Sequence, residues 1–219
     1  MTLQDALTDA GGGRGEILPA VVCLDCSHSM SEHNKIGSMH DALGKFIQTV
    51  RSHQTAKEAI DWEFMSFQTD AAGKPKIEEH IGDFQRAMEP VELPDLVASG
   101  GTPLAEVVDL ALRKLDAKKA ELKLQGQPHF QPWLIVFTDG APTSQPDVMQ
   151  EVLDRVGKLV ADRKLAVIAV GIGPDANKDF LAKLSPGRAP DMIGEKDIGT
   201  YFQKLSDSII QASAGVVLS

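Results

Sequence analysis

The segment Asp25-Cys26-Ser27-His28-Ser29 places a carboxylate and two hydroxyls on a short stretch directly after an apolar run. Such a DxSxS loop, at the carboxyl end of a strand, can converge oxygens on a small, hard cation. Two further pieces stand where the same site could use them: Thr102 in Ser99-Gly100-Gly101-Thr102-Pro103, and Asp139 in Thr138-Asp139-Gly140, which closes another apolar run. Mg²⁺ requires near-octahedral oxygen coordination and gives up water reluctantly, so two carboxylates and three hydroxyls with retained waters suit it. Mn²⁺ and Ca²⁺ are the alternatives. Two carboxylates only balance the ion's charge, which leaves it able to accept an Asp or Glu of a protein partner.

These residues need elements to hold them. Residues 17–25 (ILPAVVCLD), 133–139 (WLIVFTD) and 165–173 (LAVIAVGIG) are nearly continuous apolar runs, as in parallel strands covered on both faces. Residues 60–68 (IDWEFMSFQ) alternate more, which predicts a strand with one face less buried. Residues 76–84 predict a polar edge strand, and 191–194 a short last strand. Apolar residues recur at helical spacing in four stretches, headed by Ile36, Leu104, Met149 and Ile198. Strands alternating with helices predict an α/β fold: a doubly wound, mostly parallel six-strand sheet of order 3-2-1-4-5-6, with one antiparallel edge strand and helices on both faces. In that order the first and fourth strands meet at the switch point, so Asp25 and Asp139 face one crevice.

Taken together and in this order, the DxSxS loop, the GGT turn and the strand-terminal TDG resemble the metal-ion-dependent adhesion site of von Willebrand factor A domains, over about residues 17–212. The resemblance implies that Asp25, Ser27, Ser29, Thr102 and Asp139 are the metal-coordinating positions of a binding module that is not an enzyme. The stretches LPAVVCLDCSHSM, SGGTPL, VFTDGAPT and VIAVGIG look most like the bacterial, intracellular TerY-like group associated with tellurium resistance. That closer resemblance implies a role in stress signalling, with a Ser/Thr kinase or phosphatase as partner. His28 departs from the small residue, usually Gly, that many relatives carry between the two serines.

Each piece also has an ordinary structural use. Thr102-Pro103 is a good helix N-cap with proline at the first helical position, the two serines could cap the next helix, and Asp139-Gly140 could turn the chain. Cys23 and Cys26 are spaced as a CxxC pair, but no further Cys or His pair completes a zinc site. His28, His33 and His40 have no recognisable ligand spacing. Trp62 and Trp133 read as packing residues, and Gly171 and Gly173-Pro174 as the end of a strand. The charged stretch 113–123 reads as the solvated end of a long helix whose side chains need no partner.

A formal charge of −9 disfavours nucleic acid and anionic membrane surfaces as partners. Residues 1–16 read as a flexible lead-in without the apolar core of a secretory signal, and residues 213–219 as a tail; the chain is expected to be cytoplasmic. Two other functions compete with the binding module. An Mg²⁺-dependent phosphotransferase or hydrolase could use Asp25 as nucleophile, but it would need a second acid and a phosphate-binding Lys or Arg, and the loop after Asp25 offers none. An accessory subunit of an ATPase machine would share the metal site and act on another partner. For the binding module, no turnover is expected, and Asp139→Ala should weaken metal binding while the fold largely survives.

Overall fold

A computed structural model describes residues 16–81 and 84–213. The expected lead-in and tail fall, apart from Glu16 and Ser213, outside the described residues. One sheet contains β1 (Leu18–Asp25), β2 (Ile60–Thr69), β3 (Pro75–Glu79), β4 (Gln85–Arg86), β5 (Trp133–Thr138), β6 (Ala166–Ile172) and β7 (Asp191–Ile193). Its strands lie in the order β3-β2-β1-β5-β6-β7. This is the expected path, with β3 antiparallel at the edge and the other neighbours parallel. β4, a two-residue strand that also pairs antiparallel with β2, was not expected.

The helices are α1 (Lys35–Ser52), α2 (Gln54–Ala59), α3 (Leu104–Leu124), α4 (Pro146–Ala161), α5 (Lys178–Leu184) and α6 (Ile198–Ser213). Because successive strand side chains point to opposite faces, each central strand feeds two cores. Leu18, Ala20, Val22 and Leu24 of β1, with Ile135 and Phe137 of β5, pack in the core shared with α1 and α6. Val21, Cys23, Leu134 and Val136 pack in the other, with α3, α4 and α5. In the first core Phe137 stacks on Phe202 with ring centroids 4.5 Å apart, which anchors α6 across the end of β5. Trp62 and Trp133 are fully buried in that core, as expected of packing residues.

Two expectations are corrected here, for one reason. The alternation in β2 does not mark a wetter face, because its first eight residues are all buried, Asp61 among them. The charged run on α3 is not wholly solvated either: Lys118 is buried and its ammonium lies 3.0 Å from Asp61 Oδ2. Arg86 of β4 reaches Asp61 Oδ1 at 2.5 Å. A charge can leave water when a hydrogen-bonded opposite charge meets it, so a polar residue on a strand reports pairing as readily as exposure.

Candidate metal centre

β1 and β5 are parallel neighbours in which Leu24 is level with Phe137, so the residues that follow emerge side by side at the same end of the sheet. Asp25 is fully buried there. Its Oδ1 accepts the Ser27 backbone N–H at 2.7 Å and its Oδ2 accepts the Thr138 hydroxyl at 2.5 Å. Asp139, also buried, accepts the Ser29 hydroxyl on Oδ1 at 2.6 Å and the Lys35 ammonium on Oδ2 at 2.7 Å. The Ser27 and Ser29 hydroxyl oxygens are 3.2 Å apart.

Thr102 arrives on the long segment between β4 and α3, which is tied to both neighbouring strand tips. His28 N–H donates to Gly100 O at 2.9 Å, Ser99 N–H to Cys26 O at 2.8 Å and Thr69 N–H to Gly101 O at 3.1 Å. Thr69 Oγ1 in turn accepts Gly101 N–H at 2.7 Å. A Cβ added at Gly140 would lie 3.5 Å from Thr102 Oγ1 and 3.8 Å from Ser29 Oγ, so both hydroxyls border the turn after Asp139. The fold thus brings Asp25, Ser27, Ser29, Thr102 and Asp139 to one crevice.

The capping alternatives lose their hydrogen bonds. The N-cap position of α3 is Pro103, and neither it nor Ser27, the N-cap of the 3₁₀ segment His28–Asn34, makes a side-chain cap bond. A distant residue does that work for α3: Ser144 Oγ accepts the Ala105 N–H at 3.0 Å and donates to Glu106 Oε2 at 2.5 Å. Thr102 is instead held by its backbone, its N–H donating to Thr143 Oγ1 at 3.0 Å.

Desolvation pushes the Asp25 carboxyl up to about 6, against the lowering pull of the hydrogen bonds from Ser27 and Thr138. The folded state then holds a proton that the unfolded chain releases from about pH 4. Metal-free protein should therefore lose stability as pH rises from about 4 to about 6, by roughly 3 kcal/mol in all. Denaturant unfolding in EDTA across that range measures the loss, and Asp25→Asn, which keeps the shape and cannot ionise, should abolish this component.

Residues 21–207 match the sequence profile of the von Willebrand factor type A domain. The chain belongs to that family. Among curated proteins none matches. Among solved structures, a von Willebrand factor type A protein from Catenulispora acidiphila superposes with a TM-score of 0.68 at 17% identity, covering 89% of this chain and 43% of the other. The pilus adhesin SpaC from Lactobacillus rhamnosus GG, in its open conformation, gives 0.67 at 14% identity over 90% of this chain and 30% of its own. Proximal thread matrix protein 1 from the mussel byssus, with a zinc-occupied MIDAS motif, gives 0.55 at 14% identity over 91% and 50%. This von Willebrand factor A chain therefore spans half or less of each of these relatives, and at such identities the likeness is one of fold.

The donor set suits a hard divalent cation: two buried carboxylates and three hydroxyls, all oxygen. Among the described residues no three His, Cys, Asp or Glu side chains gather into an alternative metal site. His28 and His33 are exposed, and His33 Nδ1 lies 3.0 Å from Glu195 Oε1. Cys23 and Cys26 are free and buried; burial raises both thiols, that of Cys26 to about 12, so neither supplies a thiolate for redox exchange or zinc.

Sequence reasoning missed Thr138 and Lys35. Thr138 stood next to a chosen aspartate, and strand pairing with β1 is what aims its hydroxyl at Asp25. Lys35 left one signal, a positive charge at the first position of a helix, where the dipole disfavours it. It also alters the argument about phosphotransfer, since the fold supplies both the second acid and the lysine that the loop lacked. That lysine is turned inward, its side chain 3% exposed and its ammonium bound to Asp139.

Proposed function

We propose that this domain is a metal-dependent protein-binding module in which Asp25, Ser27, Ser29, Thr102 and Asp139 hold one divalent cation, Mg²⁺ in the cell. The carrying observation is the meeting of two buried carboxylates and hydroxyls from three segments at the carboxyl ends of β1 and β5. A bound cation would supply an electrophilic point for an Asp or Glu of the partner. The chain's own residues build the cradle: Thr138 and the Ser27 amide orient Asp25, while the Gly100-Gly101 backbone fixes the Thr102 loop. Catalysis is disfavoured because the lysine that the fold brings to the site, Lys35, is buried and bound to Asp139 and so does not face outward to clamp a phosphate. We propose a cytoplasmic setting on the sequence resemblance to the intracellular TerY-like group. The sequence resemblance to the TerY-like group directs the search for a partner to Ser/Thr kinases and phosphatases of a stress response.

Equilibrium dialysis of Mn²⁺ tests the site, and partner capture tests the function. Wild type should take up one equivalent, and Ser29→Ala with Thr102→Ala should bind at least about tenfold more weakly, since each lost donor removes a metal contact within an unchanged fold. A partner retained in Mg²⁺ should be released by EDTA and ignored by the double variant. Equal capture under all four conditions would return the hydroxyls to a structural role.

A further inference from the structure

Lys35 occupies its place against three unfavourable terms. Its ammonium is buried, which is tolerated only with a bonded counter-charge. It is the first residue of the 18-residue helix α1, at the positive end of the helix dipole. The chain reaches it through two consecutive non-glycine residues in the left-handed region, His33 at φ 51° and Asn34 at φ 58°. That bend seats the Asn34 side chain where Gly37 has no Cβ, since a Cβ there would lie 2.5 Å from Asn34 Oδ1. The Lys35 stem passes Gly173, and its ammonium ends 2.7 Å from Asp139 Oδ2 and 3.4 Å from Ser29 O.

An ammonium has donors and no lone pair, so it cannot coordinate a metal and can only oppose one. We infer that Lys35 is a tethered counter-cation of the metal centre, which holds Asp139 in place when the cation is absent and lowers the site's affinity for a free divalent ion. The inference rests on the proposed cation site. Formal charge shows why such a residue is useful. Asp25 and Asp139 alone would neutralise a divalent ion, so an acid could still take an open coordination position but no net charge would draw it in. With the Lys35 ammonium retained, the loaded centre carries one net positive charge, which a single external carboxylate cancels. Lys35 thereby makes tight metal binding conditional on an acidic ligand.

Calorimetric titration of Mn²⁺ into metal-free wild type, Lys35→Met and Lys35→Gln decides it, with circular dichroism and melting to show that each is folded. Lys35→Met keeps the stem and removes the charge; Lys35→Gln keeps a donor for Asp139. Either neutral variant should bind Mn²⁺ at least about tenfold more tightly than wild type, a decade being a modest effect for a charge this close in a buried site. Saturating acetate should tighten Mn²⁺ binding to wild type more than to the variants. Equal or weaker binding by folded variants would overturn the inference and leave the proposed function standing. Mn²⁺ binding by none of the three would overturn both. Wild type provides a check that needs no variant: the ¹⁵N resonance of Lys35 Nζ should move as Mg²⁺ is added, and a resonance unchanged at saturation would reject the role.

Discussion

Asp139→Ala should lower the unfolding free energy of the metal-free domain by roughly 3–5 kcal/mol, the usual penalty for removing one partner of a buried ion pair. The expectation from sequence alone, that the fold would largely survive, did not include Lys35. With the carboxylate gone, a buried ammonium keeps only a long contact to Ser29 O at 3.4 Å, and the Ser29 hydroxyl loses its acceptor. Two-state urea unfolding in EDTA measures the loss. Combining Asp139→Ala with Lys35→Met should recover most of it, because the orphaned charge leaves with its partner. Equal instability of the single and double variants would mean that the destabilisation arises elsewhere. The pair also separates stability from function, since the recovered double variant still lacks a carboxylate assigned to the proposed cation.

Gly100→Ala should cost about 2–5 kcal/mol and also weaken Mn²⁺ binding, although Gly100 contributes no ligand. Its φ is +65°, where an L residue is strained, and a Cβ there would lie 2.1 Å from the Thr69 backbone oxygen. The added methyl must push apart the Thr102 loop and the tip of β2, breaking the bonds between Gly101 and Thr69 that set the height of the Thr102 hydroxyl. The neighbouring Gly101→Ala is milder: its φ is not in the left-handed region, and the nearest atoms the Cβ would meet belong to the Thr143 side chain, at 3.0 Å. Thermal melts and Mn²⁺ titrations of both variants should rank them in that order. A native-like Gly100→Ala would show that the loop is not fixed by this contact.

The strand path and helix faces were legible because burial on both faces erases polar residues from β1, β5 and β6, while one-sided burial writes a 3.6-residue period into α1, α3 and α6. The five proposed oxygen donors could be picked out because each sits at a strand tip or turn with a short, distinctive pattern. Side-chain charges were read less well. Asp61 on β2 and Lys118 on α3 each looked like a surface residue, and only their meeting across more than fifty residues of chain makes burial tolerable. β4 was missed because two residues are too few to carry a period.

The sequence by itself determined the family's sheet and the make-up of the proposed cation site, since both depend on residue type and local spacing. The tertiary structure alone decided how the site is tuned. Whether Thr102 caps α3 or is free for other use depends on Ser144, which reaches the Ala105 N–H from the far side of β5. The charge of the centre depends on Lys35, which two left-handed residues swing from the start of α1 to Asp139, 104 positions away in the chain. Electrostatic coupling falls with distance in space and is indifferent to separation along the chain, so a sequence can show which charges exist but not which of them share a dielectric.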